Sequence, residues 1–356
     1  VIPVNKGLVV DFLYLRNLVR LDEEKQTVTV QAGITWEKLD EKLKKKGFTL
    51  RLYPTSYPSS TAGGWLPQGG AGIGSYEYGY YADNVVSARV VMPDGTIREF
   101  RGRDLDLISE AEGITGLILE VTLSIMPDTE LEIISVGCPD PHELQQLVES
   151  IDKENVPVWA LMFINPRMAE MKNRSPLREH LGHPAEERVI LPASYIMTLA
   201  VRRKDSKEVQ AALEELIKPC QGEILSKRIA EHEWENRFKL MIVKRLGPSL
   251  VPSEIIVPLE SLGDVMTEIE AKVDQPVVKE GVIIRKGREG KPEVVILGFI
   301  PADQRRLSYN FVFGLVMSIV KIAEKFGGRC YSTGMYFAGK GKQILGKERH
   351  KQMKKF

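Results

Sequence analysis

Between Thr61 and Gly95 the chain reads TAGGWLPQGGAGIGSYEYGYYADNVVSARVVMPDG. Gly63, Gly64, Gly69, Gly70, Gly72, Gly74 and Gly79 all fall before Tyr80. Glycine has no Cβ, so such a run can expose consecutive backbone N–H groups and adopt φ > 0. Backbone nests of this kind hold anionic oxygens, a pyrophosphate above all. A loop built for flexibility is instead Ser-rich and featureless. Here Tyr76, Tyr78, Tyr80 and Tyr81 and a Val-rich strand fence the glycines. Two readings stand at this point: an ordered ligand wall, or a purely structural loop.

Hydrophobic periodicity outlines the flanks. Leu8 to Phe12 reads as a buried strand, and Gln26 to Gln31 alternates as a second. Thr35 is placed to cap a helix, WEKLDEKLKKKG, with Trp36, Leu39 and Leu43 on one face and Gly47 as its stop. Val85 to Val91 runs into a Pro93-Asp94-Gly95 turn, with Thr96 to Phe100 returning as its hairpin partner. Leu117 to Ile125 is a further strand.

Beyond Pro127 the rhythm changes. Strands at Leu131–Val136, Val158–Ile164 and Ser194–Val201 alternate with helices at Pro141–Lys153 and Ser206–Ile217. A second round follows, with strands at Ser253–Val257, Val282–Arg285 and Val294–Phe299 and helices at Leu259–Val273 and Arg305–Lys325. Two such rounds predict a duplicated, ferredoxin-like α+β sheet. Asn165 to Glu187 is polar and broken by prolines, which reads as a surface excursion or lid.

A chain of 356 residues exceeds one ordinary core, so two domains are expected. A net charge of +1 excludes a broad basic footprint for nucleic acid. No apolar run is long enough to span a membrane, and no signal peptide is visible. Cys138, Cys220 and Cys330 are far apart, too few and too scattered to hold an iron–sulfur cluster. Buried free thiols in a reducing, cytoplasmic compartment are the expectation. The chain opens VIPVNKGLVV without Met and closes KERHKQMKKF, so both ends read as cut from something longer.

A second glycine motif, Ala111-Glu112-Gly113-Ile114-Thr115-Gly116, stands directly before a strand. Taken in order, the chain shows Pro58-Ser59-Ser60-Thr61-x-Gly63-Gly64, a Gly-Ala-Gly cluster, Tyr78-Gly79, Asp83, a strand ending Pro-Asp-Gly, and Glu-Gly-x-x-Gly. With Val28 to Trp36, this order resembles the FAD-linked oxidase family, the vanillyl-alcohol-oxidase-like flavoproteins, and within it the flavin subunit of glycolate oxidase. The specific motifs lie in residues 1–130; the likeness extends more loosely to the C-terminus.

The resemblance implies FAD between two small α+β subdomains, covered by a ferredoxin-like cap. By position, Gly63, Gly64, Gly70, Gly72 and Gly74 would line the phosphates and ribityl chain, with Ser60 and Thr61 giving hydroxyl hydrogen bonds. Gly113 and Ile118 would meet the flavin or adenine side. Pro58, Ser59, Tyr78, Gly79, Asp83, Glu112 and Gly116 complete the implied cofactor set. The family's first pyrophosphate loop would precede residue 1. The implied division is 1–128 for FAD, 129–340 for the cap and 341–356 for the start of a returning segment. No G-x-G-x-x-G follows the first strand, so a Rossmann nicotinamide site is not expected.

By the same resemblance the protein would oxidise a small 2-hydroxy acid of the glycolate or D-lactate type, with hydride passing to flavin N5. A separate iron–sulfur protein would accept the electrons, and an oligomer is compatible. The alternative is a flavin relay subunit of a larger redox complex; the apolar FGLVMSIVKIA segment could dock a partner, or be the cap's own core. Relatives of this type carry a late His-x-Gly-Asp-Gly-Asn motif. Residues 329–336 read RCYSTGMY instead, so no metal is expected. His180 and His183 beside Glu186 and Glu187 could ligate zinc or lie in a solvated loop. Arg237, Tyr331 and Tyr336 are the candidate catalytic residues. An Arg suits a carboxylate through its planar fork. The competing reading of His232 to Lys239 is an amphipathic helix with Trp234 and Phe238 in the core.

Overall fold

Leu18–Asp22 (β1) and Thr27–Gln31 (β2) pair antiparallel, and alternation in β2 buries Val28 and Val30 completely. These open the structure, a computed structural model that describes residues 7–176, 188–247, 249–273, 278–288, 290–332 and 338–355. Trp36–Lys44 (α1) buries Trp36, Leu39 and Leu43 as its periodicity predicts, and also Asp40. That carboxylate is tolerated because Thr49 and Tyr53 donate to it and Lys44 lies 2.8 Å away. Phe48–Leu50 (β3), Ala62–Gln68 (α2), Val85–Val91 (β4), Ile97–Arg101 (β5) and Leu117–Pro127 (β6) follow. The sheet order is β1-β2-β6-β4-β5, with β3 also on β6. The Pro-Asp-Gly turn joins β4 to β5 as predicted, Gly95 taking a φ of 84°.

The chain divides into two compact units. The first takes in the described residues up to Gly70, Tyr81–Asp128 and 338–355; the second comprises Ala71–Tyr80 and the described residues of Thr129–Ser332. An aromatic cluster locks the first: Trp65 stacks on Tyr81 at 4.3 Å, and Trp36 meets both edge-on. The Tyr81 hydroxyl donates to the Ala62 carbonyl at 2.9 Å.

The second unit begins with Ser75–Tyr78 (α3) and continues as Leu131–Cys138 (β7), Pro141–Lys153 (α4), Ala160–Ile164 (β8), Pro166–Arg174 (α5), Tyr195–Arg202 (β9), Ser206–Leu216 (α6), Glu223–Ile224 (β10) and Lys227–Glu235 (α7). Ser249–Pro258 (β11), Leu262–Lys272 (α8), Val278–Ile284 (β12), Glu293–Ala302 (β13), Tyr309–Lys325 (α9) and Arg329–Cys330 (β14) complete it. Its sheet runs β10-β7-β9-β8-β12-β13-β11-β14. Each half thus places its own strands in the order fourth, first, third, second, and the halves join through β8 and β12. The duplicated ferredoxin-like α+β expectation holds. At the join a side chain opposite Phe163 has no room: a Cβ on Gly281 would lie 1.9 Å from the ring. Gly341–Leu345 (α10) and Lys347–Met353 (α11) belong to the first unit.

Three expectations need correction. Leu8 to Phe12 forms no strand; the first strand is β1, and Leu8, Val9 and Val10 are exposed, so no burial rewards their apolar run. The polar excursion after Asn165 begins as helix α5. Its prolines misled: Pro166 sits in the first turn, where the missing N–H costs nothing, and Asn165 caps Met168 N–H at 3.0 Å. Strand β12 starts at Val278, not Val282, which brings Glu280 into the sheet. All three cysteines are buried thiols, and burial pushes those of Cys138 and Cys220 up to about 12 and about 11.

Candidate functional site

In the first unit, the loop entering α2 is sewn onto the β2–α1 turn. Trp36 N–H donates to Ser60, Ala62 N–H to Ile34 and Gly63 N–H to Ala32. Gly63 is a close-approach residue, since a Cβ there would come within 2.3 Å of the Ala32 Cβ. What faces solvent is the rim: Pro58, Ser59 and Gly64 are exposed, Ser60 and Thr61 half-buried. Ser60 Oγ accepts from Ser56, and Thr61 Oγ1 accepts from Gly64 N–H at 3.2 Å. Both hydroxyls therefore keep their own O–H for an outside acceptor. That donor set fits the diphosphate and ribityl oxygens of FAD.

The second glycine motif lies in the same unit. Glu110, Glu112 and Gly113 all take positive φ, and their loop runs beside α2 through bonds from Glu110 N–H to Leu66 and Glu112 N–H to Pro67. Gly69 makes room for Glu110, whose Cγ a Cβ would meet at 2.1 Å. Arg349 of α11 clips this loop, reaching Glu110 at 2.8 Å, the Asp106 carbonyl at 2.7 Å and the Ser109 carbonyl. Gly116 lets the loop pass β4, and Ile118 is buried in β6. Asp83 is exposed, and the Gly70 carbonyl accepts from Tyr81 N–H.

The other glycine-loop residues belong to the second unit. Gly72 N–H donates to Ser75 Oγ, Gly74 and Gly79 take positive φ to flank α3, and Gly79 N–H donates to the Ser75 carbonyl. The Tyr78 hydroxyl accepts from Arg202, while Tyr80 donates to Glu293 at 2.6 Å, a carboxylate also held by Arg329. So the N–H groups of Gly63, Gly72 and Gly79 are spent inside the protein. Sequence reasoning assigned all of them one task; locally they serve packing and turns.

Arg237 follows the end of α7, its guanidinium 4.0 Å over the Trp234 ring and 4.6 Å over Phe238. Trp234 and Phe238 are only partly buried; the buried α7 side chains are Ala230 and Glu233, so the aromatic-core reading of this helix is corrected. Glu233 meets Lys172 of α5 at 2.6 Å, with both side chains under a tenth exposed. Burial works to raise the Glu233 carboxyl, and the Lys172 ammonium and His232 nevertheless hold it below the usual range. Arg237, Lys172 and Glu233 line a narrow cavity of about 10 Å³ with Glu280, Thr198 and Met162. Glu280 is 5% exposed and its Oε2 makes no hydrogen bond among the described residues. Burial pushes its carboxyl up to about 8, the Lys172 charge opposing and Glu233 adding.

Of this cluster the sequence reading singled out Arg237 alone; Lys172, Glu233 and Glu280 escaped it. The one available signal was a lone Glu inside the apolar run VVKEGVII. Tyr331 is half-buried, with its hydroxyl accepting from Ala71 N–H at 3.3 Å. Tyr336 and the His180, His183, Glu186 and Glu187 set lie outside the described residues. Among the described residues no three His, Cys, Asp or Glu gather as a metal site, and no helix is long and apolar enough to cross a membrane.

Residues 2–101 match the FAD binding domain family. An alkyldihydroxyacetonephosphate synthase of Caenorhabditis elegans is 35% identical over 130 residues, 34% of this chain and 22% of that protein. Glycolate oxidase subunit GlcD of Bacillus subtilis is 22% identical over 293 residues, 76% of this chain and 60% of its own length. A mitochondrial D-lactate dehydrogenase [cytochrome] of Saccharomyces cerevisiae is 25% identical over 172 residues, 46% and 29% of the two chains. The chain thus spans under two-thirds of each. A solved p-cresol methylhydroxylase shares the fold with a TM-score of 0.74 at 13% identity, over 95% of this chain and 74% of that one.

Proposed function

Because the chain belongs to the FAD-linked oxidase family and carries an FAD-binding domain in residues 2–101, we propose that it is an oxidoreductase subunit acting on a small 2-hydroxy acid of the glycolate or D-lactate type. The observation that carries this reading is the charge of the second unit's cavity. Arg237 and Lys172 stand against the single anion of Glu233 while Glu280 stays protonated. A formal +1 suits one substrate carboxylate, and the Arg fork can grip it at two points. Two relatives are named for glycolate and D-lactate oxidation, which supports the same class.

Bound FAD would supply the two-electron acceptor. In the first unit Ser59, Ser60, Thr61, Gly64 and Gly113 would hold it, the hydroxyls donating to its oxygens. In the second, Arg237 fixes the carboxylate and so the direction of the adjoining C2 carbon. Tyr331, whose hydroxyl oxygen accepts from Ala71 N–H, and Tyr336 are the proposed phenols at the reacting end. On the family resemblance alone, a separate iron–sulfur protein is the proposed electron acceptor, with both partners in the cytoplasm.

The test is an anaerobic absorption spectrum during addition of glycolate, D-lactate and L-lactate. Flavin bands bleached by one hydroxy acid are expected; a flavin that no hydroxy acid bleaches refutes the reading. A relay subunit is the second reading, favoured by Leu307 and Phe311, which are 86% and 76% exposed at the start of α9. Bleaching by dithionite or a reduced partner alone would select it.

A further inference from the structure

We propose that Glu280 is a further carboxylate-recognising residue of the Arg237 cavity, donating its carboxyl O–H to one oxygen of the bound substrate. The inference rests on the hydroxy-acid reading and deepens it. A cavity of about 10 Å³ admits one water-sized atom. One carboxylate oxygen fits that space while the other stays with the Arg237 fork.

Glu280 is built for the contact. It sits on β12 where the two halves of the sheet meet, paired with Ile164 of β8 and Leu297 of β13. Neither neighbour offers a hydrogen bond from its side chain, and Oε2 is left unsatisfied in the cavity wall. A buried polar atom without a partner is costly, and an incoming acceptor would relieve it. An O–H···O⁻ bond is among the short, strong class.

The charged surroundings make the contact depend on Glu280 keeping its proton. Facing it are Lys172 from α5 and Glu233 and Arg237 from α7 and its end; His232 stands behind, 3.1 Å from the Glu233 carboxylate. Short helix α3, packed on β12, brings Tyr76, Glu77 and Tyr78, of which Glu77 and Tyr78 are engaged by Arg202. Glu254 of β11 pairs with Leu297 and so lies on the same sheet face, two strands away. If Glu280 loses its proton, the cavity's formal charge falls from +1 to zero and the donor disappears together. Carboxylate affinity should then drop as the group titrates near pH 8.

The experiment is calorimetric titration of the full holoprotein with D-lactate, propionate and the neutral D-lactamide, from about pH 7 to about pH 9. All the carboxylates remain ionised throughout. If only protonated Glu280 binds, the D-lactate and propionate Kd rise about tenfold across this range while that of D-lactamide stays flat. Glu280→Gln keeps a donor and cannot ionise, so its carboxylate Kd should not change with pH. The unaltered protein carries the test even if that variant folds poorly. Carboxylate Kd values independent of pH overturn the role of Glu280 and leave the hydroxy-acid reading intact. A pH-dependent propionate Kd with D-lactate binding no tighter supports Glu280 and removes the hydroxy-acid reading. Absence of carboxylate binding at every pH overturns the inference.

Discussion

Replacing Glu280 by Gln should change how the protein's stability depends on pH, apart from any ligand. In the unfolded chain the carboxyl titrates near its usual 4.5, and in the folded protein near 8. Between those values the unfolded state has released a proton that the folded state keeps. The folded-state pKa is the raised one, so its stabilising contribution is complete below about 4.5 and is lost progressively as pH climbs to about 8. Each pH unit is worth about 1.4 kcal/mol, so the loss amounts to roughly 3 kcal/mol by pH 7 and roughly 5 kcal/mol at the plateau. Gln does not titrate, so this slope vanishes in the variant. Any fixed cost of seating the amide shifts the variant's curve without tilting it, and titrations elsewhere cancel in the difference. Urea unfolding of both proteins at pH 5, 6, 7, 8 and 9, followed by tryptophan fluorescence, supplies the comparison; Trp159 and Trp234 report the second unit. The Gln variant should gain on the parent up to about pH 8 and hold a constant lead above it. Parallel curves would refute the buried, proton-keeping state of Glu280.

Two further perturbations probe the frame around the sites. Gly281→Val forces a side chain into the Phe163 ring at the join of the two sheet halves, and should lower stability by about 1–3 kcal/mol; recovery in the Phe163→Leu background, read from urea midpoints, would confirm that steric origin, and an unchanged loss would disprove it. Arg349→Ala removes the clip on the second glycine motif. It should cost about 1–3 kcal/mol and speed amide exchange over residues 109–116, with unaltered protection there counting against the clip.

Periodicity and turn chemistry were enough to outline most elements, because both act over a few neighbouring residues. Pro141–Lys153 was legible to the residue, with Leu144, Leu147 and Ile151 inward; the Asp140 cap came only with the structure. The strand–helix rounds foretold the doubled sheet, and the ordered glycine motifs foretold the FAD-binding domain. Local pattern could not show where unpaired residues would find partners. Leu8 to Phe12 has strand composition but no ladder, and Pro166 opens a helix because Asn165 caps it. The individual glycines were also undetermined: only the fold set Gly63 against Ala32 and Gly281 under Phe163, since a close approach depends on what lies opposite. The cavity was the least legible feature. Arg237 was singled out for its planar fork, but Lys172, the Glu233–Arg237 segment and Glu280 are far apart along the chain, and Lys172, Glu233 and Glu280 each alone look like surface charges. Burial and mutual approach give Glu233 and Glu280 their protonation states and the cluster its chemistry, and both arise only when the sheet and its helices pack.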